Sequence, residues 1–207
     1  MDALIVAVRT LHFAACVSLA GVSTFECLVA GPALDGSAAV QTLRQRMRLV
    51  AWISLALAAI SGAAWLAGVA GRMSGEPLGA VFGSGVIGTV LIRTRIGEDW
   101  LLRLALIVLL GACMALRSRR KPIRWIALAL SAALFASLTW AGHGAADEGT
   151  SGTIHLAADL LHLLAAGAWL GGLIPLALLL TAARSGGASA MSAAAAATRR
   201  FSLLAVT

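Results

Sequence analysis

The sequence predicts an all-α fold: a polytopic transmembrane helical bundle with five complete spans and the start of a sixth. Three observations carry this. Of 207 residues, 60% are hydrophobic and 12% charged, whereas a soluble domain is about 45–50% apolar and about a quarter charged. Charge-free runs such as 49–70 and 125–141 approach the roughly 20 apolar residues that cross a hydrocarbon core about 30 Å thick. Mean hydropathy is +0.92. The spans use up the length, so a sizeable extramembrane catalytic domain is excluded and no enzymatic reaction is expected.

The elements follow in order as one membrane domain over 1–207. Span one covers 4–30, and Asp2 stands where a secretory leader would carry Lys or Arg, so this span is expected to be retained. Span two covers 49–70. The segment 78–92 is uncharged but short and rich in glycine (Gly79, Gly83, Gly85, Gly88), and reads as an interfacial or re-entrant piece. Span three covers 100–116, span four 123–141 and span five 154–182. A sixth begins near Phe201 and the sequence stops at Thr207, so a truncated chain is expected.

The formal net charge is +7, and of 16 basic residues all but Lys121 are arginine. In a soluble protein this excess would suggest nucleic acid. Here the arginines lie between apolar runs and read as topology signals, so the expected partner is the lipid bilayer and not a nucleic acid. Arg44, Arg46 and Arg48 follow span one; Arg117, Arg119, Arg120, Lys121 and Arg124 follow span three; Arg184, Arg199 and Arg200 follow span five. All three clusters share the cytoplasmic side if 78–92 does not cross, which leaves the N-terminus periplasmic. Trp52, Trp65, Trp100, Trp125 and Trp140 fall near predicted span ends, as an aromatic belt would. Cys16, Cys27 and Cys113 have no paired spacing, which argues against a disulfide framework or a structural zinc site.

All four histidines fall in the outer half of this topology. His143 shares an outer loop with Asp147 and Glu148; His155 opens span five; His12 and His162 lie within spans one and five. At 1.5 Å per residue, His12 and His162 each sit about 12 Å inside their spans, at matching depth. His155, Asp159 and His162 are spaced i, i+4, i+7 and share one helix face. Imidazole and carboxylate suit Cu(II) or Zn(II), and a thiolate suits Cu(I). Candidate metal ligands are therefore His12, His143, His155, Asp159 and His162, with Cys16 one turn below His12 as a soft addition. Ionisable groups inside a span are costly and usually functional. Structural roles compete: interhelical hydrogen bonds, or an Arg9–Asp159 pair. Arg9 and Arg103 lie near enough to the outer surface to snorkel, and Arg103 has Glu98 and Asp99 nearby as partners. Gly167 and Gly171 form a small-xxx-small motif that predicts close helix packing. The run 193–197 is helix-forming alanine.

Gly142-His143, His155, then Asp159-Leu-Leu-His162 through Trp169-Leu-Gly171-Gly172-Leu173 resembles the signature region of the CopD (PcoD-like) family of bacterial inner-membrane copper-resistance proteins. Thr94-Arg-Ile-Gly97-Glu-Asp-Trp100-Leu-Leu-Arg103 resembles that family's entry to its third span, and Arg199-Arg200-Phe201-Ser202 the start of its C-terminal portion. The resemblance covers most of the chain. It implies a bundle of about eight spans that moves copper across the inner membrane beside a periplasmic CopC-like copper-binding partner. The positions it matches are His143, His155, Asp159, His162 and Trp169; His12 is added by depth alone. Two readings compete with copper transport: a b-type cytochrome with His12 and His162 as axial haem ligands, and a structural assembly subunit that holds neither metal nor haem.

Overall fold

A computed structural model describes residues 2–30, 38–116, 121–141, 149–184 and 187–206. These form eight α-helices, and among the described residues there is no strand. Helix α1 (Asp2–Thr24) runs into a π-helical turn, Phe25–Ala30. It is followed by α2 (Ala38–Ser74), two short helices α3 (Leu78–Val81) and α4 (Val86–Arg93), and α5 (Arg95–Ala115). Helix α6 (Lys121–Ala136) tightens into a 3₁₀ turn, Ser137–Ala141, before α7 (Gly149–Ala183) and α8 (Gly187–Val206).

Four stretches are long and apolar enough to cross a membrane: Ala3–Ala30, Gln41–Ser74, Pro122–Trp140 and Gly152–Ala183. They coincide with predicted spans one, two, four and five. Predicted span three is helical within α5, but Glu98, Asp99 and Arg103 fall inside that helix and make it more polar than the other four. The predicted re-entrant piece is α3 and α4, of four and eight residues, and at 1.5 Å per residue neither can cross. Val81 and Val90 on these helices pack against Ala70 of α2. The last helix begins at Gly187, well before the predicted start near Phe201, because the alanines 193–197 are the strongest helix formers available and continue it.

Helix α1 is the hub and packs on α2, α6 and α7. Its closest approach is to α7, where Gly21 meets Gly171: a Cβ on Gly171 would lie 2.1 Å from the Val17 carbonyl oxygen and 2.8 Å from Gly21 Cα. One turn before, Gly167 lies under the Phe135 ring of α6. The predicted small-residue motif is thus where two backbones meet, as membrane helices without a hydrophobic driving force tend to pack. The central core gathers Ile5, Cys16 and Leu19 of α1, Leu55, Ala58 and Trp65 of α2, Trp100 and Leu110 of α5, and Leu134 and Phe135 of α6. A second cluster around the π-helical turn joins Phe25 and Val29 to Leu43, Met47, Leu179 and Phe201. Apolar side chains cover the outside as well, among them Leu4, Ile53, Ile60, Leu104, Val108 and Leu161, which suits a helix face whose solvent is lipid.

Candidate metal centre

The candidate ligands fall into two groups on different helices. His155, Asp159 and His162 form an exposed stripe on α7. Residues three and four apart on a helix have Cβ atoms about 5–6 Å apart, so neighbours in this stripe can share one small cation. The same helix turns Gly167 and Gly171 toward α6 and α1, and that packing fixes which of its faces stays open. His143, with Asp147 and Glu148, lies outside the described residues. Among the described residues no group of three or more His, Cys, Asp or Glu side chains is gathered to hold a metal ion.

His12 is in different surroundings, fully buried between α1, α2 and α5. Its Nδ1 lies 3.0 Å from the Ala58 carbonyl oxygen and 3.2 Å from Ser61 Oγ. The Ser61 hydroxyl donates to the Leu57 carbonyl, so its oxygen is free to accept. A carbonyl only accepts, so Nδ1 carries the ring proton and Nε2 presents its lone pair. That lone pair faces Cys16 Sγ at 3.9 Å. The indoles of Trp65 and Trp100 pack against the imidazole, each with its ring centroid 5.7 Å away, and meet each other edge to face at 5.3 Å. The structure brings His12 together with Cys16, while His162 is exposed on α7.

Two arginines frame this aromatic cluster. Arg9 Cζ lies 5.1 Å from the Trp65 ring centroid, and Arg103 Cζ lies 4.9 Å from that of Trp100 and 5.6 Å from that of Trp65. Arg103 does not snorkel. It is 2% exposed, and it donates from Nε to Ser137 Oγ at 3.1 Å and from Nη2 to the Ser137 carbonyl at 2.8 Å. A planar fork can reach both acceptors, which a lysine ammonium would not match. Arg9 stacks on Trp65, the contact that stands where an Arg9–Asp159 pair was one reading. A shallow depression of about 470 Å³ on α1 is lined by Val6, Arg9, Thr10, Phe13, Ala14 and Val17, not by His12.

Trp65 and Trp100 correct the aromatic-belt reading: both are 7% exposed and turned inward, whereas Trp125 and Trp140 are about half exposed. The inward faces had a signal in the sequence. Residues 5, 12, 16 and 19 of α1, and 54, 58, 61 and 65 of α2, recur at the three- and four-residue steps of one helix face. Along these faces Ser18 also receives a hydrogen bond from Ser54 at 2.8 Å. The other two thiols serve α6: Cys27 donates to the Arg124 carbonyl and Cys113 to the Ile123 carbonyl, each at 3.4 Å.

Residues 1–153 match the family described as "Copper resistance protein D-like, N-terminal domain". Among curated relatives, "Copper resistance protein D" of Pseudomonas syringae pv. tomato is 34% identical over 184 residues, covering 86% of this chain and 56% of the relative. "Inner membrane protein YebZ" of Escherichia coli (strain K12) is 30% identical over 172 residues, covering 82% of this chain and 56% of the relative. The chain thus spans about half the length of the curated relatives it matches. No solved structure matches it.

Proposed function

Because the chain belongs to the copper resistance protein D-like family, we propose that it takes copper from the periplasmic side of the inner membrane and passes it inward. Copper is the cargo, and the entry ligands are His155, Asp159 and His162, supported by His143, which precedes them in the sequence, and by His12 deeper in the bundle. One observation carries this reading: three ionisable side chains stand exposed on one face of a membrane-length helix. In lipid such groups are costly unless they bind something or line a path.

Chemistry supports the choice of ion. Two imidazoles and a carboxylate suit Cu(II), and the ligands must bind deprotonated, so capture releases protons. The arginine clusters after spans one, three and five support a cytoplasmic side for those ends, and with it an N-terminus and an entry stripe outside. A periplasmic CopC-like copper carrier is the partner whose cargo matches that entry. The relatives are named for copper resistance and for the inner membrane, not for a reaction, and the chain's role is transport without catalysis. The haem reading has less support at His12, because Nε2, the ring nitrogen left to ligate, faces Cys16 Sγ at 3.9 Å.

The test uses the full-length protein in cells that depend on it for their copper phenotype. His162→Ala should abolish copper-dependent accumulation at unchanged protein level. Unchanged accumulation in that variant would remove the stripe from the transport path.

A further inference from the structure

We infer that His12 and Cys16 form a two-coordinate Cu(I) site inside the bundle, separate from the exposed stripe of α7. The argument begins with the tautomer. The Nδ1 proton is held by the Ala58 carbonyl, an arrangement that metal-binding histidines commonly use to fix the ring and aim the other nitrogen. Nε2 is therefore a lone pair, fully buried, directed at a thiol one helical turn away.

The spacing suits a bridging ion. Metal–imidazole and metal–thiolate bonds of about 2.0 Å and about 2.3 Å span about 4.3 Å when collinear, and the two donor atoms stand 3.9 Å apart. A bend at the metal, or a small side-chain rotation, closes the difference. Two donors only, one of them a soft thiolate, favour Cu(I) over ions that demand four or six ligands. The indoles of Trp65 and Trp100 and the crowded face of Gly62 keep the pair away from water.

Charge also balances. Cu(I) replaces the thiol proton, one positive charge for another, and the proton leaves to solvent. The dry core therefore gains no net charge beside Arg103, so the exchange avoids the desolvation penalty of an added ion. Along α1, His12 and Cys16 lie about 12 and 18 Å from Leu4, bracketing the middle of a core about 30 Å thick. Copper already in the Cu(I) state is here furthest from both faces and most needs ligands; the site binds Cu(I) as such and reduces no Cu(II) from the stripe.

The inference rests on the copper-handling reading, and the test separates the two. The full chain is purified in detergent with Cys27→Ser and Cys113→Ser, so that Cys16 is the one remaining thiol, and is loaded anaerobically with Cu(I). X-ray absorption should show one sulfur and one nitrogen neighbour, and retention against a Cu(I) chelator should fall at least tenfold on adding Cys16→Ser, a nearly isosteric change. Adding His155→Ala/Asp159→Ala/His162→Ala instead should leave the sulfur neighbour in the absorption spectrum, since none of the three supplies sulfur. Copper without a sulfur neighbour, or retention indifferent to Cys16→Ser, overturns the inference. Loss of the copper phenotype in the α7 variant would in that case still stand for the entry stripe.

Discussion

Replacing Gly171 with alanine should loosen the α1–α7 contact, because the new methyl would meet backbone. The new Cβ would sit 2.1 Å from the Val17 carbonyl oxygen and 2.8 Å from Gly21 Cα. Ordinary contact begins at 3.4 Å, so one helix must retreat by about 1.3 Å, and backbone cannot rotate away as a side chain can. Radial gaps of about 0.5–1 Å already forfeit a quarter to a half of the dispersion well, and the gap opens along the whole crossing. Overpacking costs about 1–3 kcal/mol, and a backbone-on-backbone clash belongs at the upper end. For a chain of this size, about 3 kcal/mol corresponds to a fall in Tm of about 6–12 °C. Thermal unfolding of the detergent-solubilised chain measures this directly. Gly21→Ala fills the same gap from the other side, 2.0 Å from the Gly171 carbonyl carbon. The double variant should therefore lose clearly less than the sum of the singles. A Gly171→Ala chain that melts within 1 °C of wild type, or strictly additive losses, would refute the crossing as described.

Two polar contacts should rank in a definite order. Ser137→Ala removes the hydroxyl that accepts from Arg103 Nε. A hydrogen bond to a buried charge is worth about 1.5–3 kcal/mol, whereas Ser54→Ala removes a neutral interhelical bond to Ser18 worth about 0.6 kcal/mol in a membrane protein. Ser137→Ala should thus lower Tm by several degrees and Ser54→Ala by little, and equal losses would contradict the inward placement of Arg103. Gly62→Ala puts a methyl 2.9 Å from Trp100 Cζ3 and 3.3 Å from His12 Cε1. The indole ring can yield, so stability should change less than for Gly171→Ala, while near-ultraviolet circular dichroism of the tryptophans should change visibly.

How much was legible in the sequence follows from the physics of each signal. Spans one, two, four and five were plain because charge-free runs of membrane length have few alternative explanations. A close packing face on α7 was legible from Gly167 and Gly171, since small residues four apart leave one flat face, but its partners, Phe135 of α6 and Gly21 of α1, were not. The start of α8 was not, because the alanines 193–197 have no apolar face that distinguishes a helix end from its interior. Trp65 and Trp100 were misplaced because closeness to a span end fixes depth but not rotation, and rotation decides whether an indole meets lipid or His12. Arg103 was misread for the same reason: snorkelling and burial predict the same depth, and the Ser137 acceptor lies 34 residues away on another helix. Matching depth likewise says nothing of rotation, and His12 is buried while His162 is exposed.

The copper content of the purified chain tests the central claim most directly. Wild type and His155→Ala/Asp159→Ala/His162→Ala are loaded with Cu(II) in air, dialysed and assayed for metal per chain. The account predicts that wild type retains copper and that the triple variant retains markedly less while keeping the wild-type Tm, because the stripe is exposed and packs no core. Equal copper in the two chains would contradict it.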